Sequence, residues 1–184
     1  AGGGTVCFPA GTYLVSATIT VSNSNVYLRG EGMWNTLITR SSDHGSTVFF
    51  QGGGTDATRV LNVGITDIGI RTTGLMSSGA HLRLDGVAQF EVNSFYAENG
   101  YINIQLAAAT AGVIVNTYML GTNLYGGSGA NRVYAQFTRS AGSYSKLDCG
   151  DIFVDNFNWR SNTSNQLYGY GLWIDSADGL WFSN

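Results

Sequence analysis

The sequence predicts an all-β domain of the parallel β-helix class, a single-stranded solenoid with coils of about 20–30 residues. Three observations carry this prediction. Short runs alternate apolar and polar residues and are bounded by Gly, Asn, Asp or Ser. A stretch that begins at His81 matches, without a gap, a stretch that begins at Gly171. Equivalent positions of successive runs are repeatedly between 20 and 30 residues apart, and irregular insertions separate some of the runs.

The alternating runs are too short for helices and have the period of half-buried strands. Their apolar positions are mostly Val, Ile, Leu, Phe and Tyr, the residues that favour strands. No stretch combines a 3.6-residue apolar period with helix caps. The runs occupy residues 26–28, 82–84, 102–106, 133–137, 172–175 and 180–182.

The internal match indicates a coil that recurs along the chain. Leu82, Leu84 and Asp85 match Leu172, Ile174 and Asp175. Further along the same two stretches, Phe90 matches Leu180 and Val92 matches Phe182. We interpret Leu147-Asp148 as a third copy of the Leu-Asp step. The fixed Leu and Asn positions that define a leucine-rich repeat are absent from this sequence, which argues against that fold. An antiparallel β-sandwich remains open, since short strands and turns also fit that fold.

Composition excludes several functional classes. The chain has 184 residues, 11% of them charged, and a net charge of -3, so no electrostatic signal for nucleic acid or anionic lipid is present. No apolar run is long enough to span a membrane, so we expect no membrane insertion. No Cys/His cluster occurs, which argues against a metal site of that kind. We expect no metal and no cofactor. We favour two buried thiols at Cys7 and Cys149 over a disulfide between them.

One segment carries a family resemblance. Residues 4–32 contain Gly4-Thr5-Val6, Phe8-Pro9-x-Gly11-x-Tyr13, Ile19-x-Val21 and Asn25-Val26-x-Leu28-x-Gly30-x-Gly32. This pattern resembles the N-terminal segment of pectate-lyase-like right-handed parallel β-helix proteins, a group that includes bacteriophage tailspikes and polysaccharide depolymerases. Residues 62–70 also resemble a rung of that group. The resemblance implies a right-handed β-helix that recognises polysaccharide.

The same resemblance shapes the domain prediction. We expect residues 1–184 to form a single β-helix domain that is a segment of a longer solenoid. In the family an amphipathic helix usually precedes the Gly-Thr-Val segment, and here the chain starts almost at that segment. A segment of this kind can lack the active site.

Carboxylates are the first candidates for chemistry. Glycoside hydrolysis needs two of them, about 5 Å apart for retention or about 6.5–9.5 Å for inversion. Neighbouring coils of a β-helix stack about 4.8 Å apart, so side chains on adjacent rungs meet this requirement. Alternation also points Glu91 outward. The candidate catalytic residues are Asp151, Asp155, Asp175 and Asp178. The alternative is that these Asp residues sit at turns and accept backbone hydrogen bonds.

Aromatic residues are the candidates for binding sugars, since their rings stack on the apolar faces of pyranoses. By alternation Trp173 and Trp181 face outward. The full set of candidate substrate-binding residues is Trp159, Trp173, Trp181 and Tyr170. An interface between subunits would use the same residue types. The two histidines, His44 and His81, are expected at the surface or at a strand edge.

The resemblance to tailspikes thus implies an extracellular or virion protein, such as a phage tail component, that binds and hydrolyses a surface polysaccharide as a homotrimer. Two alternatives stay open. One is a structural or adhesive solenoid without catalysis. The other is a uronate lyase or epimerase, for which Lys146 and Arg160 could supply positive charge.

Overall fold

The computed structural model describes residues 2–41, 45–74, 76–121, 132–161 and 170–183. This part of the chain contains fifteen strands, and every pair of them is parallel, which excludes the antiparallel sandwich. The strands are β1 Gly4–Cys7, β2 Gly11–Val15, β3 Ile19–Val21, β4 Val26–Arg29, β5 Thr36–Arg40, β6 Val48–Gln51, β7 Val60–Thr72, β8 Ala80–Asp85, β9 Val87–Glu98, β10 Ile102–Ala107, β11 Thr110–Gly121, β12 Val133–Thr138, β13 Cys149–Ser161, β14 Tyr170–Ile174 and β15 Ala177–Ser183. The protein is therefore a parallel β-helix. Within the described residues no helix is long and apolar enough to cross a membrane.

The strands form two parallel sheets that wrap into three faces. Face 1 is the sheet with strand order β14-β12-β10-β8-β6-β3. The other sheet contains the long strands β7, β9, β11 and β13, each of which bends twice. The segment after the first bend, together with β1, β4 and the end of β15, forms face 2. The segment after the second bend, together with β2 and β5, forms face 3.

Residues in the left-handed backbone conformation, with positive φ, form the two bends of each long strand. The first column is Asn62, Gln89, Ala111 and Asp151, and the second is Asp67, Ser94, Asn116 and Asn156, with φ between 46° and 58°. Asn and Asp adopt this conformation more readily than other non-glycine residues, so they recur there. Gly30 continues the second column, where a Cβ would lie 2.1 Å from the Asp67 carbonyl oxygen, and only glycine fits that approach.

The core lies inside the three faces and consists of stacked apolar columns. Ile65, Val92, Ile114 and Val154 follow one another on face 2, and each side chain is completely buried. Burial of one such side chain contributes about 1.5–3 kcal/mol. Since every coil adds a member to each column, the stacking of coils is what stabilises the fold.

The internal match in the sequence coincides with these columns. Leu82 pairs with Ile104, then Ala135, then Leu172, and Phe90 leads through Gly112 and Ile152 to Leu180. Five of the six alternating runs fall entirely in strands, and the run 172–175 lies in β14 except for its last residue, Asp175.

The proposed third copy at Leu147-Asp148 is wrong. Phe137 is the residue that pairs with Ile174, so Thr138, and not Asp148, precedes Asp175 in the column. The Asp148 carboxylate instead accepts a hydrogen bond from Ser176 Oγ. The irregular insertion before β13 shifts the Leu-Asp pair away from the strand.

Candidate functional site

The outward side chains of face 2 form a continuous surface, which we call the outer strip. The inward neighbours of these residues are the buried columns, so alternation along each strand points the strip to solvent. Seven coils contribute, and six spacings of about 4.8 Å give a strip about 29 Å long. Its two columns are Thr5, Tyr27, Gly64, Glu91, Val113, Phe153 and Trp181, and Cys7, Arg29, Thr66, Asn93, Val115, Asp155 and Ser183.

A polar cavity occupies the N-terminal half of the outer strip. Its volume is about 320 Å³, and its lining includes Arg29, Asp67 and Glu91. A second cavity of about 550 Å³ adjoins it, shares Arg29 and Asp67, and adds Glu31. Arg29, Asp67 and Glu91 therefore line one recess on successive coils that is large enough for a sugar residue, and Glu31 lines the recess beside it.

A ladder of side-chain hydrogen bonds orients Glu91. Asn93 Nδ2 donates to Glu91 Oε1 at 3.0 Å, and Asn116 Nδ2 donates to Asn93 Oδ1 at 3.1 Å. Asn156 Nδ2 in turn donates to Asn116 Oδ1 at 3.0 Å. The ladder runs up the second bend, so the backbone geometry of the bend fixes the position of this carboxylate.

The opposite end of the outer strip is aromatic. Phe153 and Trp181 are paired in register on adjacent coils and are 44% and 53% exposed. Beside them Asp155 Oδ1 accepts a hydrogen bond from Ser183 Oγ at 2.6 Å. An exposed ring next to polar acceptors is the arrangement on which a pyranose stacks while its hydroxyls find partners.

The four carboxylates selected from the sequence do not gather in one place. Asp155 lies on the outer strip. Asp151 is exposed at the first bend, and Asp178, on the neighbouring coil, pairs with Lys146 Nζ at 3.2 Å. Asp175 lies at the end of face 1 and accepts a hydrogen bond from Thr138 Oγ1 at 3.1 Å. Their catalytic role stays a prediction.

The four aromatic candidates divide among three faces. Trp181 belongs to the outer strip. Tyr170 and Trp173 lie together on face 1, with ring centroids 4.9 Å apart in an edge-to-face arrangement. Trp159 lies on face 3 in register with Met119, which is fully buried, and its ring contacts Phe157 at 5.6 Å. The register of Trp159 thus places it in an inward-pointing column, although this residue is 47% exposed. The binding role of all four residues stays a prediction.

Two expectations about single residues are wrong. His81 is completely buried, with Nδ1 at 3.2 Å from Thr47 Oγ1 and Nε2 at 2.8 Å from the Glu98 carbonyl oxygen. Burial lowers the pKa of His81 to about 4. His44 lies outside the described residues. Cys7 is an exposed thiol rather than a buried one, whereas Cys149 is buried, as expected, and burial raises its pKa to about 11.

Sequence reasoning missed the cavity residues Arg29 and Asp67. Alternation did point Glu91 outward, but nothing in the spacing placed these three residues on one recess. The rung motif at residues 62–70 contains Asp67, and a count of coil positions from that motif would have found it. The irregular insertions between coils prevented that count.

Comparisons with known proteins agree with the fold. No family model matches the chain, and no curated protein matches it. Among solved structures, the chain resembles a protein described as a glycosyl hydrolase from Parabacteroides merdae, with 12% identity over 99% of this chain and 82% of that one and a TM-score of 0.66. It also resembles the ORF18 protein of Geobacillus virus E2, with 19% identity, 95% coverage and a TM-score of 0.64. The chain spans 33% of the length of that viral protein.

Proposed function

We propose that the outer strip binds an extended polysaccharide along the solenoid axis and that the carboxylates of its polar cavity hydrolyse it. The observation that carries the proposal is the strip itself, which joins an aromatic platform to a carboxylate-lined recess over seven coils. A linear polymer can contact both ends at once only if the two lie on one face. The fold shared with a protein described as a glycosyl hydrolase supports this choice.

Glu91 and Asp67 are the carboxyl groups to which we assign the chemistry. Both line the polar cavity, and Asp67 belongs to the coil next to that of Glu91. One carboxyl group protonates the glycosidic oxygen, and the bond from that oxygen to the anomeric carbon breaks. The other carboxylate removes a proton from the water that attacks this carbon. Phe153 and Trp181 hold the polymer in register with the cavity.

The charge of the cavity favours hydrolysis over uronate elimination. Glu31, Asp67 and Glu91 face a single cation, Arg29, in the two adjoining cavities. A lyase or epimerase must bind and neutralise a uronate carboxylate, and like charges in such a recess repel it.

Release of reducing sugar from a panel of neutral polysaccharides tests the assignment. We expect Glu91→Gln and Asp67→Asn each to lower turnover at least about 100-fold, the scale of a lost general acid or base. Glu98→Gln is the matched control, because Glu98 lies on the same strand, also points outward and also accepts a side-chain hydrogen bond, from Tyr96. Its turnover should stay at the wild-type level.

Three outcomes would overturn parts of the proposal. Loss of activity in Asp151→Asn, Asp175→Asn or Asp178→Asn with full activity in Glu91→Gln would move the chemistry to the carboxylates selected from the sequence. An unsaturated product that absorbs in the ultraviolet would indicate a lyase. Binding that Trp181→Ala abolishes, without turnover by the wild type, would leave a structural or adhesive glycan-binding solenoid.

The setting of this activity belongs to the proposal as well. A protein that acts on a surface polysaccharide works outside the cell or on a virion, and a phage protein shares the fold. We propose assembly as a homotrimer, with solenoids side by side. Sedimentation equilibrium tests this assembly, and a monomer at all concentrations would refute it.

A further inference from the structure

We propose that Trp34 and Tyr118 form a second sugar-binding platform on face 3, which binds a pyranose ring of a neutral glycan independently of the outer strip. Trp34 belongs to the connection between β4 and β5 and is 54% exposed. The strip and this platform are separated by the second bend, so they open onto different faces.

Three aromatic rings from successive parts of the chain build the platform. The Trp34 ring lies 4.4 Å from Tyr96 and 5.5 Å from Tyr118, and the Tyr96 and Tyr118 rings stack at 6.2 Å. Tyr96 is buried beneath them, and its hydroxyl donates to Glu98 Oε2 at 2.8 Å. Tyr96 is therefore a rigid base, and the exposed aromatic surface belongs chiefly to Trp34.

The local backbone holds Trp34 in this position. Asn35 and Thr36 both donate backbone hydrogen bonds to the Gly32 carbonyl at 2.9 Å, which closes a tight turn around the tryptophan. Gly69 lies directly below, where a Cβ would approach the Met33 carbonyl oxygen to 2.5 Å and Tyr96 Cδ1 to 3.0 Å. The turn can lie flat on face 3 only because position 69 has no side chain. A large apolar ring is thus preorganised at the surface, which lowers the entropic cost of binding a ligand.

The size and surroundings of the platform fit a sugar better than a protein. A stable protein interface needs about 800 Å² from each partner, several times more than one half-exposed indole and one tyrosine edge supply. Polar groups adjoin two of the rings, since Asn158 follows Tyr118 in register and Asn35 follows Trp34 in the chain, while Leu37 lies beside Gly69 on the remaining side. One exposed ring with amide groups beside it matches a pyranose, which has one apolar face and hydroxyls at its edge.

The indole N–H resonances of the tryptophans provide a test that does not depend on turnover. The probes are neutral oligosaccharides of β-1,4-glucose, α-1,4-glucose, β-1,3-glucose and N-acetylglucosamine. We expect at least one probe to shift the Trp34 resonance to saturation. Trp34→Ala should weaken binding at this platform about tenfold or more, while the titration of the Trp181 resonance stays unchanged. Trp34→Phe should retain part of the affinity.

Leu14→Ala is the control, because it removes an apolar side chain that is 69% exposed without touching the platform. It should leave the Trp34 titration unchanged. A Trp34 resonance that no probe moves would overturn the proposal. So would a resonance that broadens with protein concentration, together with dissociation of an assembly in Trp34→Ala, because the surface would then contact protein. Since Trp181 reports the outer strip separately, failure of one site is distinguishable from failure of the other.

Discussion

The buried histidine His81 makes the stability of this protein depend on pH in a predictable direction. Its pKa is lowered to about 4, first by burial and then by the nearby positive charges of Arg40 and Arg132, while the Glu98 carbonyl opposes the shift. The unfolded chain has the ordinary value near 6.5. Between these two values the unfolded state binds more protons than the folded state, so the free energy of unfolding falls as the pH falls.

The magnitude follows from the size of the shift. One pKa unit corresponds to about 1.4 kcal/mol, so this single group should remove about 2 kcal/mol between neutral pH and about pH 5, and about 3 kcal/mol by about pH 4. The contribution is complete above pH 6.5 and is lost progressively below it. For a domain stabilised by about 5–15 kcal/mol in total, such a loss is readily measured.

Urea denaturation of the wild type and of His81→Gln across this pH range tests the reasoning. The variant cannot titrate, so its free energy of unfolding should change less between neutral pH and about pH 5, by about 2 kcal/mol. Carboxylates contribute equally to both proteins and cancel in the comparison. Identical pH profiles would refute the argument. If the variant does not fold, the ring protons of His81 provide a second measurement, and a titration midpoint near pH 6.5 would refute it as well.

Three further predictions concern the thiols, the core and the bends. A thiol reagent should modify the exposed Cys7 in the native protein and spare the buried Cys149, and labelling that persists in Cys7→Ser would contradict this. Ile114→Ala should lower the free energy of unfolding by about 2–5 kcal/mol, whereas Val113→Ala, at the neighbouring outward position, should cost about 1 kcal/mol or less, as measured by urea denaturation. Asn116→Ala should lower thermal stability more than Asn116→Gly, because φ is 54° there and glycine adopts this value without strain; the reverse order in calorimetry would contradict the role of the bend.

The strands of face 1 and the inward columns could be predicted from the sequence because their signal is local. Alternation within a run fixes which side chains are buried once a strand forms, and the match from Leu82 to Leu172 correctly joined two positions of one column. The same reasoning failed at Asp148 because an insertion breaks the local pattern. It also failed at His81, near the start of β8, since the burial of this side chain depends on neighbouring coils and not on the run that contains the residue.

The candidate site could be predicted only in part. Outward Trp181 and Asp155 were identified and do lie on the outer strip, and alternation also pointed Glu91 outward. Asp67 lines the same cavity from the second bend of the preceding coil. Trp34 lies in the connection between β4 and β5, and its ring packs against that of Tyr96. Neither contact has a signature in the spacing of residues.

The sequence by itself determined that this chain is a parallel β-helix and which side of most strands is buried, and its residues 4–32 resemble the corresponding segment of pectate-lyase-like β-helix proteins. Those properties depend on period and on turn chemistry, which are written within a few residues of each strand. Only the tertiary structure decided which outward residues share a surface. The coils differ in their number of residues because insertions of different length separate the strands, so the insertions set the register between coils. That register alone brings Arg29, Asp67 and Glu91 to one recess and separates Asp175 from Asp155.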